Sequence, residues 1–170
     1  MFKRVLIANR GEIAIRIARA AAGLGVESVS IFAPADALSL HTRATTQSRQ
    51  IGEAGGDPVK PYLDIEAIIA VAKETGCDCV HPGYGFLAEN GAFARRCLAE
   101  GLAFIGPRPE TLELFGDKVK ARGLAGSLGV PWSPAAPRRW RTPRQPEARP
   151  THLAATWDLS DPSSRAAPET

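Results

Sequence analysis

The segment over residues 2–32 constrains the fold most. Residues 2–8 end in an unbroken apolar run, Val5-Leu6-Ile7-Ala8, which suits a strand buried on both faces of a sheet. Asn9-Arg10-Gly11 then reads as a tight turn. Residues 12–24 read as a helix in which Ile13, Ile17, Ala20, Ala21 and Leu24 recur at three- and four-residue steps along one apolar face. Glu12 suits the positive end of that helix, and Gly25 suits its stop. Residues 29–32 form the next strand. A strand, turn, helix and strand in this order make a βαβ crossover, and a crossover of this kind implies a parallel sheet.

The pattern continues downstream. Residues 33–61 are loop-rich, with a short strand expected near Gln50 and Ile51. Asp64 is placed to cap a helix over 65–75, with Ile65, Ile68, Ile69 and Ala72 facing inward and Gly76 ending it. A strand is expected over 77–80, a helix over 88–100 closed by Gly101, and a strand over 102–105 ended by Gly106-Pro107. A short helix over 109–115 and a second over 118–128, interrupted by Gly123 and Gly126, complete the series. Alternating strands and helices predict an α/β fold with a doubly wound parallel sheet. One sequence does not yield the strand order.

Composition breaks near residue 130. All 16 glycines lie before it, whereas eight of the 14 prolines and all three tryptophans lie in residues 131–170. Those last 40 residues contain no Ile, Val, Phe, Met, Lys or Gly. Such a segment buries too little surface to offset an ordering cost of ~1–2 kcal/mol per residue, so it is expected to be a disordered tail beside a folded domain over 1–130. Its six arginines against four acids carry much of the net charge of +3. Without a patterned basic stripe, they are not taken as a nucleic-acid signal. No apolar run reaches the ~20 residues of a membrane span, and the N-terminal apolar stretch is too short for a secretory signal, so a cytoplasmic protein is expected. Cys77, Cys79 and Cys97 are odd in number and lack metal-ligand spacing, which argues against a disulfide scaffold and a zinc site.

Ligands of an open parallel sheet bind beyond the carboxyl ends of its strands, and two loops there carry unusual chemistry. The first is Asn9-Arg10-Gly11-Glu12, where a helix N-terminus presents free N–H groups. The dinucleotide fingerprint G-x-G-x-x-G is absent, although Asp36 follows the second strand where a ribose-binding acid can lie, which leaves a Rossmann-type nucleotide binder as a low-ranked alternative. Equally, Arg10 and Glu12 can be no more than a turn and a cap. The second is His81-Pro-Gly-Tyr-Gly-Phe-Leu-Ala-Glu-Asn90, where Gly83 and Gly85 permit backbone geometry closed to other residues and display Tyr84 between them. Here too a structural reading stands, with His81 at a strand end and Phe86 and Leu87 in the core. A third feature, Gly116-Asp117-Lys118, puts a lysine at a helix start, either as a point charge for phosphate or as a solvated surface group.

Together, RVLIANRGEIAIRIARAAAGLG, PYLDIEAIIAVAKETGCDCVHPGYGFLAEN and FIGPRPETLELFGDKVKARGLAGSLGVP strongly resemble the N-terminal, pre-ATP-grasp domain of biotin carboxylase, the ATP-dependent component of acetyl-CoA, propionyl-CoA, pyruvate and urea carboxylases. The resemblance runs over residues 2–131 and then stops. It implies a Rossmann-like sheet that does not use its nucleotide-fingerprint site, and a reaction in which bicarbonate and ATP give carboxyphosphate, whose carbon dioxide passes to N1 of carrier-bound biotin with magnesium on the phosphates. By this resemblance Lys118 looks like a lysine that contacts ATP phosphate, and Tyr84 like a residue lining the biotin-facing cleft beside His81, Gly83 and Gly85. Arg16 and Arg19 match positions at a dimer interface.

Two departures from the family pattern qualify the functional expectation. Residues 33–50 keep Leu40-His41 but lack the acidic run usual near residues 44–48. After Pro131 the glycine-rich loop, second ATP lysine, magnesium carboxylates and bicarbonate-orienting arginines have no counterpart, and the Ala/Pro/Arg/Trp bias looks like a truncated or frameshifted reading. The expectation is therefore a biotin carboxylase N-terminal segment without catalytic or metal-ligating residues of its own, inactive alone and holding ATP, magnesium and biotin poorly. The alternative is a non-catalytic module that docks on biotin carboxylase subunits or the biotin carboxyl carrier protein. A monomer or weak homodimer is expected.

Overall fold

A computed structural model describes residues 1–130; the expected tail, 131–170, lies outside the described residues. The elements are β1 (Arg4–Ile7), α1 (Gly11–Gly23), β2 (Glu27–Phe32), β3 (Gln47–Gln50), α2 (Ile65–Glu74), β4 (Cys79–His81), α3 (Gly91–Ala99), β5 (Ala103–Phe104), α4 (Pro109–Gly116) and α5 (Lys118–Ser127). Short 3-10 turns occupy Pro34–Asp36, Leu40–Arg43 and Lys60–Leu63. The strands form one parallel sheet in the order β3-β2-β1-β4-β5, with Leu6 opposite Val29 on one side and Val80 on the other. The apolar run of β1 thus lies at the sheet centre, where both faces are buried. Val5 and Ile7 pack with Ala14, Ala18 and Ala21 of α1, while Leu6 and Ala8 join Ile68, Ile69, Phe93 and Cys97 of α2 and α3 on the other face. Helices on both faces make the sheet doubly wound, as expected.

The inward face of α1 differs from the one anticipated. Ala14, Ala18 and Ala21 are buried, whereas Leu24 is 66% exposed and Ile13 and Ile17 only partly covered. Alanines let the helix axis approach the sheet closely, so the small-residue stripe wins over the larger isoleucine stripe beside it. The edge strand β3 falls on Gln47–Gln50, earlier than expected. Residues 88–90 form a turn, with Ala88 N–H donating to Gly85 O at 2.9 Å, and α3 starts where the Asn90 side chain accepts from Phe93 N–H at 2.9 Å. Gly123 and Gly126 do not interrupt α5. Each costs ~1 kcal/mol of helix propensity without removing a hydrogen bond, and the Asp117 carboxylate caps the helix by accepting from Val119 and Lys120 N–H.

Asp64 caps α2 as anticipated, its side chain accepting from Ala67 N–H at 3.0 Å. Asp64→Ala is expected to lower stability by about 1 kcal/mol, read as a shift of the urea midpoint at unchanged slope. Cys77, Cys79 and Cys97 are all free and buried, and burial pushes each thiol up, Cys79 and Cys97 to about 12, so they act as small apolar core residues. Among the described residues no helix is long and apolar enough to cross a membrane.

Candidate functional site

The strand order creates a switch point. From the carboxyl end of β1 the chain crosses through α1 to β2, and from that of β4 it crosses through α3 to β5 on the opposite side. The loops after β1 and β4 therefore flank one crevice, where ligands of such sheets bind. These are the two loops singled out from the sequence.

The loops are joined through Asn9, which the sequence marked only as a turn residue. Its side chain is fully buried; Nδ2 donates to Pro82 O at 2.7 Å and Tyr84 O at 3.0 Å, and Oδ1 accepts from Arg10 N–H at 2.9 Å. Gly83 sits against it at φ +67°, where an added Cβ would lie 2.6 Å from Ile13 Cγ2 and 2.8 Å from Asn9 Nδ2. Only glycine meets both demands. Gly85, at φ +72°, faces open space. Tyr84 between them is 66% exposed, Leu87 is in the core, and Phe86 adopts φ +43°, rare for a bulky residue, while stacking on Tyr62 with centroids 5.3 Å apart.

His81 ends β4. Its Nδ1 accepts from Gly83 N–H at 3.0 Å, which leaves the neutral ring's proton on Nε2, and burial pushes its pKa down. His81, Gly83, Tyr84 and Arg16 border a concavity of about 580 Å³ beside α1, whose apolar floor includes Phe2, Ile13, Ile17, Leu24 and Ile105. Arg16 pairs with Glu12 at 3.5 Å and both are largely exposed, as is Arg19 one turn on. Lys118, the first residue of α5, is exposed and is not among the residues lining this concavity.

On the other side of Asn9 lies a second cluster that the sequence did not reveal. Arg10 Nη1 reaches Asp36 Oδ2 at 3.1 Å, and its guanidinium lies over the rings of Tyr62 (5.6 Å) and Phe86 (5.8 Å). Tyr62 OH donates to Asp36 Oδ2 at 2.8 Å and accepts from Ala33 N–H at 3.0 Å. Asp36, considered for a ribose hydroxyl, thus has Arg10 and Tyr62 as partners. Burial raises its carboxyl, but the Tyr62 hydroxyl and the Arg10 guanidinium outweigh this and hold it below the usual range. The stability this supplies is present above the unfolded value near 3.8 and is lost as pH falls through the folded value. Urea midpoints measured downward from pH 5 are expected to fall less steeply for Asp36→Asn than for the unaltered chain. Parallel curves would show that Asp36 does not carry this dependence.

The resemblance implies MgATP, whose phosphates need cations and whose magnesium needs oxygen ligands. Lys118 can offer one charge to a phosphate, but among the described residues no group of three or more His, Cys, Asp or Glu is placed to hold a metal ion. The described residues therefore offer a single cation for a phosphate and no ligand set for the magnesium.

A five-stranded parallel sheet with helices on both faces and its distinctive loops at the β1/β4 switch point is a Rossmann-like α/β domain. The chain belongs to the biotin carboxylase family through its N-terminal domain: the model described as "Biotin carboxylase, N-terminal domain" matches residues 1–112. Pyruvate carboxylase of Bacillus subtilis is 50% identical over 134 residues, covering 79% of this chain and 12% of that protein. Biotin carboxylase of Halalkalibacterium halodurans is 47% identical over 137 residues, covering 80% of this chain and 30% of that protein. The biotin carboxylase domain dimer of Hydrogenobacter thermophilus 2-oxoglutarate carboxylase, solved with MgADP, ADP and bicarbonate, superposes with a TM-score of 0.75 at 43% identity over 79% of this chain and 29% of that one. The chain thus spans a small part of the relatives it matches.

Proposed function

We propose that this chain supplies the N-terminal domain of a biotin-dependent carboxylase, which carboxylates carrier-bound biotin with bicarbonate and ATP. The observation that carries the reading is the hydrogen-bonded His81–Gly85 loop at the switch point, with Tyr84 held out to solvent beside a groove large enough for a small ligand or a partner side chain. In this role Tyr84, with His81, Gly83 and Gly85, forms a wall of the biotin-facing cleft, and Lys118 offers its ammonium to an ATP phosphate. Fusing residues 1–130 in place of the matching segment of the Halalkalibacterium halodurans biotin carboxylase tests this directly. The chimaera is expected to carboxylate free biotin, and Tyr84→Ala to lower its kcat/KM for biotin at least tenfold. A folded but inactive chimaera would overturn the reading.

The 170-residue chain alone is expected to show no bicarbonate- and biotin-dependent ATP hydrolysis. Phosphoryl transfer rests on positioning and charge stabilisation by several groups, and a single exposed ion pair such as Lys118 can form contributes only ~0–1 kcal/mol. Turnover by the purified chain would refute this.

The apolar groove along α1 favours a second reading, a module that docks on biotin carboxylase subunits through this helix. Arg16 and Arg19 project from the same helix and are proposed to contribute to a homodimer contact, expected to be weak. Sedimentation at micromolar protein should show a monomer or weak dimer, shifted to monomer by Arg19→Glu. A tight dimer indifferent to that substitution would place the contact elsewhere.

A further inference from the structure

The loop that displays Tyr84 is held from outside as well as by its own turns. Residues 82–84 wrap around a side chain more than seventy positions earlier: the Pro82 and Tyr84 carbonyls both point at the Asn9 amide nitrogen, and Gly83 passes over Asn9 with no space for a Cβ. Both Asn9 amide protons and its oxygen are therefore used in a fully buried position, where an unmet donor would be costly. The geometry has two outward consequences. Tyr84 lies on the solvent side of the clamped segment, and the Gly83 N–H is aimed at His81 Nδ1, which decides that Nε2 carries the ring proton.

We propose that Asn9 is a positioning residue of the switch-point site: its amide clamps residues 82–84 and thereby sets both the display of Tyr84 and the tautomer of His81 at the rim of the groove. This deepens, and for its functional meaning rests on, the reading of the loop as the biotin-facing wall. A side chain that merely filled space could be replaced by one of equal size. Asn9 cannot, because what it supplies is two donors, and an aspartate of the same shape would turn an oxygen toward two carbonyls.

The test is NMR of the 170-residue chain. In the unaltered chain the Asn9 side-chain amide protons should exchange at least tenfold more slowly than those of Asn90, the chain's other asparagine, whose oxygen caps α3. Asn9→Asp is expected to speed exchange of the Gly83 and Gly85 backbone amides at least tenfold and to move the His81 titration. The charged and titratable groups around the loop are Cys79 of β4, Tyr84, Glu89, Arg10 paired with Asp36, and Arg16 on α1, and all remain in the variant; Asn9→Asp adds a carboxylate of its own, so the His81 shift counts for the clamp only where the uncharged Gly83→Ala moves it too. Amides of β1 and β4 serve as the control for a retained fold. Gly83→Ala, which pushes the loop off Asn9 from the other side, should reproduce the same signature. Should Asn9→Asp unfold the chain, the unaltered Asn9 protons and Gly83→Ala decide. Asn9 protons exchanging as fast as those of Asn90, or a His81 titration and loop amides unmoved in a folded variant, would overturn the proposal. A folded, inactive chimaera with the clamp intact would instead sink the biotin-facing reading and leave the clamp standing.

Discussion

Phe93→Ala is expected to destabilise the domain by about 3–5 kcal/mol, a large part of the ~5–15 kcal/mol that holds a domain of this size together. Phe93 is fully buried in the first turn of α3 and meets Phe104 of β5 edge-on, with ring centroids 5.8 Å apart. It therefore couples α3 to the two-residue edge strand β5, adding side-chain packing to the backbone pairing of β5 with β4. Truncation removes the ring's burial and leaves a cavity between helix and sheet that rigid neighbours cannot fill. Urea denaturation followed by circular dichroism measures the loss, and a drop below about 1 kcal/mol would show that Phe93 does not carry this packing.

The second large effect is expected on mild acidification. His41 is fully buried; its Nε2 lies 3.2 Å from Ile31 O, and Nδ1 has no hydrogen-bond partner among the described residues. Burial is the main influence pushing its pKa down. The Ile31 carbonyl and Asp36 push it up, Arg10 pushes it down, and the net is a lowered value. His81 is lowered by burial as well. A histidine held neutral in the native state lets the unfolded chain take up the proton first. Stability is then complete above the unfolded value of 6.5 and falls as pH drops below it, until the folded value is reached. Each histidine contributes at most ~1.4 kcal/mol per pH unit in that window. Urea midpoints at pH 7.5, 6.5 and 5.5 should decline across the last interval, and His41→Gln should make that decline shallower. An unchanged slope in that variant would show that His41 is not its source.

Most of the fold was legible because local rules and global packing agree. The apolar β1 run, the Asp64 cap and the glycine stops each draw on neighbours within four residues, so the strand–helix alternation emerged from the chain directly. The inward stripe of α1 was not legible. Ile13, Ile17, Ala20, Ala21 and Leu24 form a regular apolar face, but Ala14, Ala18 and Ala21 form another beside it, and periodicity does not rank two adjacent stripes. Only the distance between helix and sheet does so, and that distance favours alanine. The displaced isoleucines then line the groove beside His81 and Tyr84.

The sequence alone determined that the chain builds a parallel α/β sheet, that its unusual chemistry sits in the loops after the first and fourth strands, and which family it resembles. These follow from short-range patterns and from residue types. The tertiary structure decided the order β3-β2-β1-β4-β5, and with it the fact that those two loops share one crevice. It also decided that Asn9 meets Pro82 and Tyr84, and that Arg10 meets Asp36, Tyr62 and Phe86. Each of these contacts joins residues 26 or more positions apart, and none has a period or a spacing that betrays it. Such pairings are selected by burial: a polar group carried into the interior must find its partner wherever the packed sheet brings one within reach.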